Sequence, residues 1–504
     1  VTSDRRLYLF TLVALTAVHV ALAAVVPVSG DEAYYWDCSR HPDWSYFDQP
    51  PLVIWAMIPF RALLGETALA VRGPALLASL LIGLFLLPLV RRLGGGPRQA
   101  AGVYLLLHAM PLFLLGSFYT STDVAMIAAF VGATWAAAAL AQGETRAWYG
   151  FAAALGLGFL AKFPAVLVLP ALLPALLARR NGRRFATLAT PHPYLAGAVA
   201  ALLTLPVWTW AVQHGYDNLE FQLVDRHGGG PFTLAYLGEF VGANLLLPTP
   251  FLLAGMAIAG WKRWRDPDPA WRALLLAAAS PVAFFALTAL HTRVGAHWGG
   301  PGLTVAAVAL GLTAFRGSRA LVALGAVIGP LLSAAVLAVV LAPGPLLDVE
   351  WSYTGRPKRV STRKLAALVG NERVLTEVRA RRAPGELVGS ESYSTVHLLA
   401  FLSRGTLDTR LAHVKGGKHG LASLYWYPPE ALRGRDVLFV TDKEQVDDRL
   451  RTVFASVTEE EPLEIESGGR VVRRVRFLRC RDMRHPESVF SRLGQPLPQP
   501  WIER

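Results

Sequence analysis

Only two cysteines, Cys38 and Cys480, occur in 504 residues, too few for a disulfide scaffold or a thiolate metal site. Charge is scarce as well. Asp, Glu, Lys and Arg make up 17% of the chain, against roughly 25% in an ordinary soluble domain. The charges also lie unevenly: residues 1–343 hold 22 Lys/Arg and 15 Asp/Glu, whereas residues 344–504 hold 27 and 21. That asymmetry excludes a single water-soluble globule, and an apolar content of 53% excludes a disordered chain. No internal repeat of 20–50 residues is apparent. The run Gly94-Gly95-Gly96 lacks a following Lys-Ser/Thr, so it is a turn and not a phosphate loop. No Ser/His/Asp triad is evident. The hydrophobic start is not followed by a small-residue cleavage site and a soluble domain, so it is expected to stay as a first span.

What is present are long apolar runs. A membrane helix needs about 20 predominantly apolar residues. Runs that reach or approach this length cover 7–29, 67–92, 98–118, 120–141, 146–162, 164–178, 192–213, 233–260, 270–291, 297–315 and 318–343. A shorter stretch, 51–64, suits an interfacial or re-entrant helix. The expected fold is an α-helical polytopic membrane protein of about 11–13 transmembrane helices over residues 1–343, followed by a C-terminal extracytoplasmic α/β domain over 344–504. In that domain 373–382 and 395–402 read as helices and 436–441 and 470–477 as strands.

The net charge of +13 does not signal a nucleic-acid partner, because the basic residues sit in short clusters between apolar runs. Arg5-Arg6, Arg91-Arg92-Arg98, Arg146, Arg179-Arg180-Arg183-Arg184, Lys262-Arg263-Arg265-Arg272 and Arg316-Arg319 fall on every second side. By the positive-inside rule they mark the cytoplasmic face. Eleven spans with the N-terminus inside then put residues 344–504 outside the cytoplasmic (inner) membrane.

The first outer loop, 30–50, places Asp31 and Glu32 beside Tyr34, Tyr35 and Trp36, and continues through His41 to Trp44, Tyr46, Asp48 and Gln49. An aromatic belt with solvated acids explains such a loop. So does a carboxylate base or metal ligand with aromatic faces for a sugar, and the loop alone does not decide between them. More charged groups gather at ends of spans on that same side: Glu66 and Arg72, Asp123, Lys162, Arg226-His227, Arg293 and His297-Trp298. One such residue is ordinarily a snorkelling anchor; six loops or span ends contributing to one face need another explanation. Arg and Lys near the membrane edge suit the phosphate of a lipid, and carboxylates farther out suit removal of a proton from an incoming hydroxyl or amine. A transporter or lipid flippase is the main alternative, yet midplane sites and repeat-related broken helices would be expected of one. A surface sensor leaves the intramembrane charges unexplained and has no output domain on the cytoplasmic side.

Asp-Glu-Ala-Tyr-Tyr-Trp at 31–36 and Tyr-Phe-Asp-Gln-Pro-Pro at 46–51 resemble the first outer loop of bacterial GT-C polyprenyl-phosphate-sugar glycosyltransferases. These are relatives of the protein O-mannosyltransferases, the lipid A aminoarabinose transferase and the rhizobial galacturonosyltransferases. Further matches follow in order: Gly65-Glu66 with Val71-Arg72, Ser121-Thr122-Asp123, Gly158 to Phe163, Gln213-His214-Gly215, Phe221-Gln222 with Arg226, His297-Trp298, Glu391-Ser392-Tyr393 and Tyr425 to Pro429. The resemblance implies an inverting transfer from a polyprenyl-phosphate-linked donor to a lipid, glycan or protein acceptor, such as lipid A or an envelope glycan. Asp31 matches the loop-1 aspartate, the base or organiser of the acceptor, with Glu32 its neighbour. Asp123 matches a second acidic position that supports the acceptor or a divalent cation. Lys162, Arg72 and Arg226 are the candidates for the donor phosphate. Tyr34, Tyr35, His41, Tyr46, Asp48, Arg293 and Trp298 are candidates for sugar contact or loop organisation. Glu66 and His297 could bind a divalent metal cation or fix the outer loops by hydrogen bonds. Gln49 departs from the family, whose loop often carries His before the two prolines.

Overall fold

The structure, a computed structural model, describes residues 3–178, 185–225, 230–343, 366–412, 419–427, 429–443, 448–467, 469–488, 491–492 and 495–496. The chain divides into two compact units. The first comprises Val1–Val25, Asp43–Phe60 and Arg72–Ala334; the second comprises Val26–Pro42, Arg61–Val71 and Ala335–Arg504. The second unit therefore draws in two stretches of the N-terminal half that charge distribution alone assigns to the membrane part.

The first unit is helical. Among the described residues, six helices are long and apolar enough to cross a membrane by length and composition: α1 (Ser3–Val25), α4 (Ala68–Arg92), α7 (Thr122–Ala141), α10 (His192–Gln213), α14 (Pro269–Thr288) and α16 (Ser318–Leu341). α12 (Leu234–Leu246) and α13 (Pro250–Arg263), bent by 94°, make a seventh if they are one span. Other apolar runs fold as shorter helices, and the cause is visible in the chain. Apolar windows do not register helix breaks. Met110 is extended ahead of Pro111, as the steric demand of a proline ring on the preceding residue requires, and cuts 98–118 into α5 (Pro97–His108) and α6 (Pro111–Gly116). The runs 146–162 and 164–178 become a 15-residue α8 (Ala147–Ala161), a 3₁₀ stretch at Phe163–Leu172 holding Pro164 and Pro170, and the short α9 (Leu173–Leu177). The last two runs before residue 344 are the 13-residue α15 (Gly300–Leu312) and α16. The short stretch at 51–64 is a 13-residue helix, α3 (Leu52–Leu64); α11 is one turn, Asp217–Glu220.

α7 lies at the centre of this unit, packed on α8, α14 and the 3₁₀ stretch. Its Ala133, Ala136, Ala137, Ala138 and Ala139 are buried. Small side chains let helix backbones approach closely where water supplies no driving force between helices.

The second unit holds a six-stranded sheet, β1 (Leu387–Ser390), β2 (Thr409–Leu411), β3 (Val437–Thr441), β4 (Phe454–Glu459), β5 (Leu463–Ser467) and β6 (Arg470–Met483), in the order β2-β1-β3-β6-β4 with β5 also on β6. β1 is parallel to β2 and β3; β6 is antiparallel to β3, β4 and β5. The strand expected at 470–477 runs on to Met483 because it pairs with three partners. α17 (Asn371–Arg381) and α18 (Tyr393–Leu402) precede and follow β1, and a short α19 (Arg449–Val453) leads into β4. Val374, Leu375, Val378 and Leu399 of these helices join Leu438, Val440 and Phe477 of the sheet in one core. Cys38 and Cys480 are both buried free thiols, and burial pushes the Cys480 thiol up to about 12. α2 (Gly30–Cys38) belongs to this unit and packs on α18.

Candidate active site

The first-loop carboxylates are separated by their helix. Ser29 is the N-cap of α2: its hydroxyl accepts from Glu32 N at 3.2 Å, and Glu32 Oε2 accepts from Ser29 N at 3.0 Å. This capping box satisfies two backbone donors that a helix start otherwise leaves open. Glu32 is buried by it, whereas Asp31 one position earlier is exposed. Of the two, Asp31 is the carboxylate exposed to solvent. Its Oδ1 accepts a hydrogen bond from Tyr393 Oη of α18 at 2.5 Å.

The remainder of α2 is tied into the second unit by its own side chains. Asp37 Oδ2 accepts from His397 Nδ1 at 2.8 Å and Oδ1 from Arg40 Nη1 at 2.9 Å. Burial alone would raise the Asp37 carboxyl; the hydrogen bond and charge of His397, with Arg40, hold it below its ordinary value. Tyr34 is buried, its hydroxyl accepts from Ala422 N at 3.1 Å, and its ring lies 4.9 Å from that of His397 and 5.8 Å from that of Tyr35. Trp36 Nε1 donates to Glu66, which also takes a two-pronged contact from Arg61 at 2.6 and 3.0 Å. Burial raises Glu66, and these donors bring it below its usual value. His41 stacks on Trp426 at 4.2 Å, and its burial lowers its pKa.

A second cluster lies in the first unit. Lys162 ends α8 in an extended conformation, and Asp123 sits in the first turn of α7. Lys162 Nζ donates to both Asp123 oxygens at 2.8 Å. His297 Nε2 is 3.4 Å from Asp123 Oδ2, and the Lys162 ammonium lies 5.5 Å from the Trp298 ring centre. Only 17% of the Lys162 side chain and 14% of that of Asp123 are exposed, against 49% for His297. The pair is thus shielded from bulk water on most sides, with the histidine at its open edge.

The other residues expected at the site have identifiable partners. Arg72 is fully buried, donates to Ala23 O at 2.9 Å and lies 5.7 Å from the Phe118 ring centre. It therefore caps a carbonyl in the last turn of α1, where a cation complements the helix dipole. Arg293 makes a two-pronged, largely exposed contact to Glu239 at 2.7 Å. The Tyr46 hydroxyl accepts from Asp43 N at 3.3 Å, and the Asp48 carbonyl accepts from Gln222 Nε2 at 2.7 Å. Arg226 lies outside the described residues.

A resident metal does not fit the donors present. Both oxygens of Asp123 and both of Glu66 already accept from cationic groups. Among the described residues no group of three or more His, Cys, Asp or Glu side chains is arranged to hold a metal ion.

Over residues 48–210 the chain matches the dolichyl-phosphate-mannose-protein mannosyltransferase family. It is 28% identical over 283 residues to the lipid A galacturonosyltransferase RgtD of Rhizobium johnstonii, covering 53% of this chain and 56% of that one. It is 29% identical over 285 residues to the undecaprenyl phosphate-alpha-4-amino-4-deoxy-L-arabinose arabinosyl transferase of Edwardsiella ictaluri, covering 49% of this chain and 50% of the relative. The chain thus spans about half the length of these curated relatives. The crystal structure of ArnT from Cupriavidus metallidurans bound to undecaprenyl phosphate superposes with a TM-score of 0.64, covering 94% of this chain and 98% of that one at 16% identity. The fold is that of the ArnT structure. At 16% identity the likeness speaks for the fold and not for the role of any side chain.

Within this fold, sequence reasoning missed the partners supplied by α18. His397 had no role assigned, and Tyr393 was noticed only as part of Glu391-Ser392-Tyr393. The signal was present: Tyr393, His397 and Phe401 recur every four residues, which is one face of a helix. The capping of Glu32 was equally legible, since Ser29-x-x-Glu32 is the capping-box pattern.

Proposed function

We propose that this chain is an integral-membrane glycosyltransferase that moves a sugar from a polyprenyl-phosphate-linked donor to an acceptor on the outer face of the cytoplasmic membrane, with inversion. The observation that carries the reading is the shielded Lys162–Asp123–His297 cluster in a fold like that of ArnT. The relatives' names point to lipid A and to undecaprenyl phosphate, so lipid A, or another anionic envelope glycan, is the acceptor class to test first.

In this reading an acceptor hydroxyl or amine attacks the anomeric carbon from the side opposite the phosphate. The new bond to that carbon forms as the carbon–oxygen bond to the phosphate breaks, and the electron pair leaves with the polyprenyl phosphate. Asp31 takes the acceptor's proton. Phosphate is a good leaving group, so charge stabilisation matters more than proton donation to it. Lys162 supplies that cation. Asp123 keeps the ammonium charged and aimed, because an ammonium buried without a counter-charge is driven to neutrality. No covalent enzyme intermediate is needed.

The test is a panel of radiolabelled polyprenyl-phosphate sugars offered to the purified protein with envelope extract as acceptor. Label leaving the lipid of one donor and entering an acceptor supports the proposal, and the anomeric configuration of the product reads inversion. Movement of intact donor across a vesicle bilayer with no cleavage would contradict it and favour a lipid flippase.

A further inference from the structure

α18 presents Tyr393, His397 and Phe401, four residues apart, to α2. Tyr393 Oη donates to Asp31 Oδ1 at 2.5 Å, His397 Nδ1 to Asp37 Oδ2 at 2.8 Å, and Phe401 meets Trp36 edge-on with ring centres 5.3 Å apart. Two glycines make this approach feasible. A Cβ at Gly30 would lie 2.4 Å from the Ser394 Cβ and 2.9 Å from its Cα, so any side chain there would push α2 off α18. Gly420 has φ +73°, and a Cβ on it would lie 2.4 Å from the Tyr393 Cβ. The Tyr393 ring is therefore held from behind by a backbone that only glycine adopts at little cost.

An exposed aspartate in the first turn of a helix ordinarily samples several rotamers. Here its neighbours Glu32, Ala33 and Tyr34 are buried, so the helix is fixed, and a hydroxyl from a second fixed helix reaches the carboxylate. We propose that Tyr393 is a positioning residue for Asp31. Its donation to Oδ1 sets the plane of the carboxylate, and with it the direction from which the other oxygen accepts a proton. The C-terminal domain thereby takes part in the reaction through the base. This inference rests on the transferase reading for its consequence in turnover, but the contact itself is testable without any turnover.

The experiment uses the full chain in detergent and compares wild type with Tyr393→Phe, which keeps the ring and loses only the hydroxyl. Carbodiimide-coupled labelling of carboxylates with glycine ethyl ester, read by peptide mass spectrometry, is expected to run several-fold faster at Asp31 in Tyr393→Phe. It should be unchanged at Glu372, an exposed carboxylate on α17. Hydrogen exchange over Gly30–Cys38 should be unaltered. With the donor found by the panel, kcat should fall about 10- to 100-fold, the scale of a small misplacement of a reacting group, and the donor KM should stay within about twofold, as expected when only the reacting geometry is lost. Unchanged labelling at Asp31 overturns the proposal whatever the activity. A raised donor KM with unchanged kcat also overturns it, since that would place Tyr393 in donor binding. Faster labelling at Asp31, with no transfer by wild type from any donor, supports the contact and overturns the transferase reading instead.

Discussion

At the scale of single residues, Lys162 and Asp123 carry the clearest energetic commitment. Both are mostly shielded and joined by two contacts at 2.8 Å. Removing one partner of such a pair leaves an uncompensated charge, a loss of about 3–5 kcal/mol, whereas replacing both by apolar groups is much milder. Lys162→Met should therefore lower the thermal midpoint of the purified protein by several degrees, and the double variant Lys162→Met/Asp123→Leu should recover part of that loss. Lys162→Met should also weaken dependence on the donor more than dependence on the acceptor. Equal midpoints for the single and double variants would contradict the pairing. Each of the two residues was legible in the sequence as a charge at a span end, yet their pairing was not. They are 39 positions apart on different helices, and no local pattern links them.

Glu32 shows the opposite case, in which the local pattern held the answer. Adjacent carboxylates at 31–32 suggested shared chemistry; the helix start assigns one to capping and leaves the other exposed. Glu32→Ala should cost about 1 kcal/mol of stability, the ordinary value of a lost cap interaction, and Glu32→Gln only a few tenths, because an amide oxygen serves in a capping box. The thermal midpoints of the two variants would separate these outcomes.

At the scale of elements, the contact between α2 and α18 has a pH signature through Asp37. The His397 and Arg40 contacts hold this carboxyl below its ordinary value against the effect of burial. A depressed folded-state pKa stabilises the folded protein at pH values above the unfolded value, about 3.9, and that contribution is lost as the pH falls through the folded value below it. Wild type should thus exceed Asp37→Asn in thermal midpoint near pH 7, and the gap should close only below about pH 3.9. A gap that does not change with pH would contradict the charge-based contact. The helices themselves were partly legible. Apolar length found α1, α4, α7, α10, α14 and α16, and the shortness of α3 was foreseen. The breaks at Pro111 and between α12 and α13 were blurred, because a hydropathy window averages over a proline without registering the backbone donor it removes.

For the whole molecule, the distribution of charge was the most informative feature of the sequence. It separated the apolar N-terminal part from a charged C-terminal part, and the latter is the α/β unit. It did not show that 26–42 and 61–71 join that unit, because their membership depends on long-range partners such as Tyr393 and His397. Sidedness is a proposal, drawn from the basic clusters by the positive-inside rule. An alkaline-phosphatase fusion after Arg504 should be active, and an inactive fusion paired with an active cytoplasmic reporter would reverse the orientation.

The central claim, a proposal, is that this protein transfers a sugar from a lipid phosphate with Asp31 as the base. Its most direct test compares wild type and Asp31→Asn, both purified and shown to have equal thermal midpoints, in transfer of label from a polyprenyl-phosphate sugar. Asn cannot accept the acceptor's proton, so label should reach the acceptor with wild type and fall by several orders of magnitude with the variant, while both bind undecaprenyl phosphate alike. Near-equal transfer by the two proteins would contradict the account.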